Sequence, residues 1–463
     1  MENRLNQNFH TLSLLKFTFP TTMMLLFMSL YQMVDGVFVA NFVGEYALSA
    51  LNIVYPIPSL IIAISIMLAT GGSAIIAKNM GEKRNREAKE NFSLILLAGL
   101  VFSVLFLVVG TAFLEQIIYL LGATEDLYAY CHDYLLILVL ATPLAVFQML
   151  FQTFFVTAGR PTLGLVTTVV GGCVNVVFDY LFVAVGHMGV RGAAVATAMG
   201  YAVPAVVGLV YFTCFRHGTL YVVRPVLRGR VLLHSCTNGA SEMVNNVAVS
   251  ITTFLFNILM LRYAGEAGVA AITVVLYAQF LMTSVFMGFS SGVAPIVSYN
   301  YGKQNHLLLQ RVFRISVRMV VVTSVLVFVL SELLSTWVVR VFAPPGSAVY
   351  DLAQAGFHIF SISFLFTGVN IFASALFTAF SDGKVSAILS FLRTFVFLTA
   401  CLFVLPALME LDGIWLAVPV AEGLALLVSL YYLATRRSVY GYVDSKPGKY
   451  SGGLPPTPTG QCD

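Results

Sequence analysis

The sequence predicts an all-α integral membrane protein of twelve transmembrane helices, arranged as two pseudo-symmetric halves of six. Three observations predict it. Of the 463 residues, 59% are hydrophobic and only 10% charged, with a mean hydropathy of +0.89, whereas soluble domains average about 25% charged residues. Twelve stretches are long enough for the roughly 20 apolar residues that cross a bilayer. The third observation is an internal repeat. A shift of 221 residues sets Gly44 and Glu45 on Gly265 and Glu266, Gly71 on Gly292, Asn79 on Asn300, Gly81 on Gly302 and Thr157 on Thr378. An offset held over more than a hundred residues marks two copies of one unit.

The elements follow in order. A polar start, MENRLNQNFH, leads into span 1 (14–40), which carries Pro20 and Asp35. This run is too long for a cleaved leader and is expected to stay as a span. Span 2 (47–77) stops at the basic stretch GEKRNREAKEN, spans 3 and 4 cover 92–118 and 130–157, and TAGRPT separates span 4 from span 5 (163–186). Span 6 (190–215) closes the first half. A basic connection, 216–236, divides the halves. Spans 7 to 12 then cover 237–263, 269–299, 313–341, 353–380, 385–409 and 413–435, with APPGS and SDGK as breaks. The expected organisation is therefore a first lobe (1–215), a cytoplasmic linker (216–236), a second lobe (237–436) and a disordered tail (437–463) rich in Pro and Gly.

Charge sets the expected orientation. With both termini in the cytoplasm, Lys78, Lys83, Arg84, Arg86 and Lys89 fall inside, as do Arg160, Arg216, Arg224, Arg228, Arg230, Lys303, Lys384 and Arg393. Arg191, Arg262 and Arg340 fall outside among acidic loops. The expected location is the plasma membrane. Six cysteines form no CxxC pair and read as small core residues, and His132, His187 and His358 look isolated, so no resident metal is expected. No phosphate loop, nucleophile elbow or metalloprotease signature appears, which argues against an ATP-driven pump or an enzyme. The net charge of +4 is spread over membrane loops and does not point to nucleic acid.

Four carboxylates stand within spans: Asp35, Asp179, Glu242 and Glu422. Intramembrane acids are costly and commonly mark ion or substrate pathways. Asn175 and Asp179 are four residues apart and share one helix face, so a carboxylate sits one turn from an amide oxygen. Such a pair suits a proton or a small hard cation, and two acids brought together would titrate as a unit. The repeat sets Phe256 opposite Asp35 and Ala400 opposite Asp179. The second half lacks both acids, which favours an ion site in the first. Glu242, with Asn245 and Asn246 nearby, reads either as a cation-attracting acid in a substrate cavity or as the polar end of span 7. Pro20 lies 15 residues before Asp35, about 22 Å along the same helix, where a bend could follow ion occupancy.

Taken together, VDGVFVANFVGEYALSA, TAGRPTLGLVTTVVGGCVNVVFDYLF and their ordered repeat resemble the multidrug and toxic compound extrusion (MATE) family, most closely its DinF-like and Gram-positive multidrug exporter branches, over the chain to about residue 437. That resemblance implies a V-shaped fold of two rocking bundles, and export of small organic cations driven by inward H⁺ or Na⁺, by a monomer without a cofactor. It carries Asp35, Asn175 and Asp179 onto the family's coupling acids and amide. Thr197 and Tyr134 match its polar neighbours, Pro20 its bending proline and Glu242 its span-7 acid. Na⁺, where it is the coupling ion, would sit at Asp35, Asn175, Asp179 and Thr197. The acid that some members carry in span 10 is missing here, and Asn370 is the one amide in its stretch FSISFLFTGVNIFASALFTAF, read with Glu242 and Asn246 as lining a substrate cavity. Two other readings compete. A flippase for lipid-linked oligosaccharides would need several Lys or Arg in its cavity, and a membrane-embedded transferase would need a polar catalytic cluster.

Overall fold

The structure, a computed structural model, describes residues 4–43 and 45–443, apart from the side chains at 32, 35–41, 45, 46 and 48. The side chain of Asp35 and the tail beyond 443 thus lie outside the described residues. Among those described there are helices and no strand.

All twelve expected spans are present. Span 1 is α1 (Thr11–Phe42); span 2 is α2 (Glu45–Val54) followed by α3 (Pro56–Gly81). Span 3 is α4 (Asn85–Ala112), extended by α5 (Leu114–Leu120). Span 4 is bent by 52° between α6 (Glu125–Leu140) and α7 (Thr142–Thr157). Span 5 is α8 (Pro161–Asp179), which runs into a π-helical turn at Tyr180–Val185, and span 6 is α9 (Gly189–Cys214). Spans 7 and 8 share α10 (Gly229–Gly302), divided where Gly265 takes a φ of 64°. Span 9 is α11 (His306–Phe342). Span 10 is bent by 53° between α12 (Ala348–Ser361) and α13 (Phe364–Ala379). Span 11 begins in α14 (Gly383–Phe391), passes through a second π-helical turn at Leu392–Phe397, and enters α15 (Leu398–Thr435). That helix turns at Glu410 into span 12, and α16 (Arg437–Tyr440) follows.

Local chemistry explains the boundaries. Pro56 and Pro161 stand at the first helical position of α3 and α8, where a missing N–H costs nothing. Asn305, Ser347 and Asp382 cap α11, α12 and α14 by accepting from Leu308, Tyr350 and Val385 N–H. The repeat is also written in the backbone. Lys83 and Gln304, 221 residues apart, both have positive φ (62° and 58°), and Glu410 (50°) stands where the first half has Gly189 (60°). A left-handed glutamate costs what glycine does not, yet both halves hold a positive φ at this turn.

The lobes are closed against each other at the basic end. Span 2 meets span 7, where a Cβ on Gly71 would overlap the carbonyl of Ser235 and one on Gly239 the carbonyl of Met67. Gly81 and Gly302 make the same approach to Tyr299 and Lys78, between spans 2 and 8. The segment before span 1 reaches across this end. Leu5 and Phe9 are fully buried, Asn300 Nδ2 donates to the Leu5 carbonyl, and Lys303 Nζ lies 2.6 Å from Asn6 Oδ1.

Two expectations are refined. The connection between lobes is extended only to Arg228, since α10 begins at Gly229 rather than near 237. It is fastened to the first lobe: Val222 N–H donates to the Phe212 carbonyl, Val223 N–H to Ser93 Oγ, and Arg228 Nη2 lies 2.8 Å from Glu90 Oε2. A double-mutant cycle between Glu90→Ala and Arg228→Ala is expected to return a coupling of about 1 kcal/mol in thermal unfolding; a coupling of zero would free the linker from this lobe. The tail, expected to be disordered from 437, is folded to 443. Tyr440 stacks on Phe380 at 4.6 Å and donates to Asp382 Oδ2, and Tyr442 donates to the Leu433 carbonyl. Burial, together with Asp382, pushes the Tyr440 phenol above its ordinary range, so it stays a neutral donor. Of the cysteines, Cys131 and Cys401 are buried as expected, whereas Cys173 and Cys214 are exposed.

Candidate functional site

In the first lobe α8 places Asn175 and Asp179 one turn apart, and both are buried, at 2% and 0% exposure. Small residues let the neighbours approach. A Cβ on Gly171 would crowd the Gly200 carbonyl, and one on Gly200 would crowd Asn175, so α9 lies directly on α8. On the other side α1 runs parallel to α8. Met24 Sδ packs at Gly164 and the Tyr31 ring at Gly172. Continuing that register, the backbone of Asp35 comes level with Asn175 on α8. The Oδ1 of Asn175 is buried and has no hydrogen-bond partner among the described residues, an open acceptor beside a buried carboxylate.

Thr197 lies on α9 three residues before Gly200, and its hydroxyl proton is spent on the Ala193 carbonyl at 2.9 Å, which leaves its lone pairs available. Tyr134 of α6 packs against the cluster of Val183, Val190 and Ala193, one turn from Thr197. Beside it Arg191 and Asp133 form a two-pronged ion pair at 2.8 Å, which joins spans 4 and 6 at the end opposite the basic loops. Pro20 is buried within a helix that stays continuous from Thr11 to Phe42, flanked by Thr18 and Thr22, which pack on Gly292 and Gly288 of span 8.

In the second lobe the charged groups form one network. Arg393, counted above with the inner loops, instead sits in the π-helical turn of span 11 with its side chain only 14% exposed. Its Nε lies 2.8 Å from Glu422 Oε1. The second oxygen of Glu422 accepts from Asn370 Nδ2 at 2.7 Å, and Asn370 Oδ1 accepts from Ser429. Glu422 thus has the polar partner its position demanded, and Asn370, placed by sequence in a substrate cavity, has both ends of its amide engaged in tying spans 10 and 12 together. Glu242 of span 7 lies within electrostatic reach of Arg393. Asn246 donates back to the Glu242 main-chain carbonyl. Glu242 and Glu422 are thus the two carboxyl groups within reach of the single Arg393 guanidinium.

Sequence reasoning missed Arg393 as an intramembrane charge, although its place inside the stretch 385–409 was the available signal. It also missed Glu332 inside span 9, and it read His358 as isolated. The two are paired at 2.6 Å. A cavity of about 580 Å³ opens at the basic end of the first lobe, lined by Arg4, Arg160, Tyr211, Phe215 and His217. It meets α8 near Val166, about 20 Å along that helix from Asp179, so it is not the site of the acids. Among the described residues, no three His, Cys, Asp or Glu side chains gather as a metal site.

Comparison with known proteins matches this architecture. The profile of the MatE family matches residues 20–181 and 243–402, the two halves in turn. The multidrug export protein MepA of Staphylococcus saprophyticus is 22% identical over 421 residues, covering 89% of this chain and 92% of its own. An outward-facing multidrug resistance MATE family transporter of the MOP superfamily superposes with a TM-score of 0.87 at 21% identity, over 92% of this chain and 96% of its own. The MATE multidrug transporter DinF-BH, solved as a complex with a small molecule, reaches 27% identity and a TM-score of 0.84 over the same shares of each chain.

Proposed function

The chain belongs to the MatE family, and from that premise we propose that it is a secondary active multidrug exporter of organic cations, driven by inward H⁺ or Na⁺. Related proteins are named as multidrug exporters, and one was solved with a small molecule bound. The single observation that carries the coupling half is the buried Asn175–Asp179 pair of α8, with the unpaired Asn175 Oδ1 and α1 laid alongside at the level of Asp35. An acceptor-only oxygen beside a carboxylate wants a donor or a cation, and a proton or Na⁺ supplies either. Neutralising Asp35 and Asp179 removes charge from the interior of the lobe and lets α1 repack against α8. Because α1 also packs on span 8 through Thr18 and Thr22, that repacking reaches the interlobe contact. Exchange requires only that ion and substrate prefer opposite states.

The substrate half rests on the second lobe. Glu242 and Glu422 share a single cation, Arg393, so a monocation arriving near Glu242 would complete the charge balance. Asn246, on the same face of span 7 as Glu242, would line that approach. The proposal includes a monomer in the cell membrane, with its basic loops and both termini on the cytoplasmic side, as the excess of Lys and Arg in those loops favours. Ethidium transport in reconstituted vesicles tests the proposal, with proton and Na⁺ gradients imposed separately. The wild type is expected to move the cation under one gradient. Asp35→Asn and Asp179→Asn are each expected to lose gradient-driven movement by a hundredfold or more. Undiminished movement in both variants would overturn the coupling role, and no movement of any organic cation would overturn the substrate class in favour of a lipid flippase.

A further inference from the structure

One ionisable cluster takes no part in the chemistry above. His358 lies ten residues into α12, about 15 Å from the start of span 10. Its Nδ1 is 2.6 Å from Glu332 Oε2 on α11. The other oxygen of that carboxylate accepts from Ser361 Oγ. Ser361 is fully buried and is the last residue of α12, at the break where span 10 turns by 53°. Gln354, one turn before His358, sets its amide nitrogen 2.9 Å from His358 Nε2 and also donates to Ser335 Oγ. The amide oxygen of Gln354 is buried without a hydrogen-bond partner.

These contacts fit two protonation states. An amide nitrogen can only donate, so His358 Nε2 accepts and Nδ1 carries the proton shared with Glu332. The imidazole is then neutral and the cluster holds one negative charge. A further proton would make Nε2 a donor. A half-turn of the Gln354 amide would meet it with the oxygen that now lacks a partner. Both side chains are partly exposed, His358 at 45% and Glu332 at 32%.

The half-repeat sets the cluster against a counterpart that lacks it. The shift of 221 sets Thr111 opposite Glu332, Ile137 opposite His358 and Leu140 opposite Ser361. Span 4 bends by 52° without any of these groups, at Pro143, whose counterpart is Phe364. A proline imposes its bend covalently. Span 10 has no such ring, and at its break the Ser361 hydroxyl lies against both Glu332 and the His358 carbonyl.

We infer that Glu332 and His358 form a proton-binding site in the second lobe and that its occupancy sets the bend of span 10. Binding one proton makes the cluster neutral, which relieves the cost of a net charge at this depth. It also draws Glu332 toward the imidazolium and away from Ser361. The site stands apart from the acids of the first lobe and does not rest on the exchange mechanism. Glu332 is the charged group that faces His358 from α11, with Arg340 two turns further along. On α12 the next is Asp351, two turns earlier. Helix α10 packs there with Phe256, Met260 and Val275, its charges Arg262 and Glu266 lying at the Gly265 turn. Helix α13 brings no charge, and α15 packs Trp415 on Gly356, with Glu410 and Asp412 about a turn or more beyond it.

Trp415 makes the test direct. The chain has two tryptophans, and Trp337 is 67% exposed, so Trp337→Phe leaves Trp415 as the sole reporter beside α12. Its emission is recorded on full-length protein in lipid nanodiscs from about pH 5 to 8. A single-proton step is expected in this background. The step should vanish in His358→Gln, move to lower pH in Glu332→Gln, and persist in Asp179→Asn. Glu332→Gln keeps an acceptor for Ser361, so this arm holds even where His358→Gln fails to fold. A flat profile in the parent protein, or the same step in Glu332→Gln, would overturn the inference. Loss of the step in Asp179→Asn would overturn the site's independence.

Discussion

Replacing Glu422 by alanine is expected to destabilise the protein by about 3–5 kcal/mol, the usual cost of removing one partner from a buried ion pair. Two losses combine. The Arg393 guanidinium, 14% exposed, would lose its 2.8 Å partner within the membrane, and Asn370 Nδ2 would lose its 2.7 Å carboxylate acceptor. Glu242 is the remaining acid within reach of Arg393, so part of the cost should return as a tighter Arg393–Glu242 attraction. That re-pairing would consume the negative charge proposed to receive substrate, and the variant should therefore export poorly even where it folds. Removing both charges, Arg393→Met with Glu422→Leu, is expected to recover most of the stability, because well-packed apolar pairs replace buried ion pairs at little cost. Thermal unfolding in detergent, followed by monodispersity, measures both. A Glu422→Ala protein within about 1 kcal/mol of wild type would mean that Arg393 has another route to neutrality.

The second large effect is expected at the interlobe contact. Gly239→Leu should lower transport by tenfold or more, because any Cβ there meets the main-chain carbonyl of Met67. Overpacking typically costs about 1–3 kcal/mol and more where backbone is the obstacle, and 1.4 kcal/mol already shifts a two-state balance tenfold. The lobes would be pushed apart at the basic end, so the closed state becomes the minor one. Spin labels at Glu82 and Gln304 should report longer distances in the variant than in the parent, with exposed native cysteines removed from both. Equal distances and undiminished export would show that the lobes do not need this approach. Leucine at Gly229, where nothing lies within contact range of an added Cβ, serves as the control.

Much of the fold was legible because bilayer physics writes it into composition. A crossing helix must be apolar over a fixed length, so the twelve spans stand out in the hydropathy alone. The repeat was legible because both halves keep the residues that their backbone requires, such as Gly81 and Gly302 at the lobe contact. Asn175 and Asp179 were readable as a pair because four residues make one helical turn. Arg393 and His358 were not, because a charge near a span end looks the same whether it faces water or a carboxylate from another helix. The partners Glu422 and Glu332 lie 29 and 26 residues away in sequence, and no local period joins them.

The sequence by itself determined the number of helices, their order, their duplication and the acids placed within them, since each follows from apolar length, spacing or self-similarity along one chain. Only the tertiary structure decided which charges share a partner, that the lobes close at the basic end, and that one span bends through a proline while its counterpart bends beside a titratable pair. Those outcomes depend on side chains brought together by helix packing, where a hydrogen bond of less than 3 Å joins residues that nothing in the linear order places side by side.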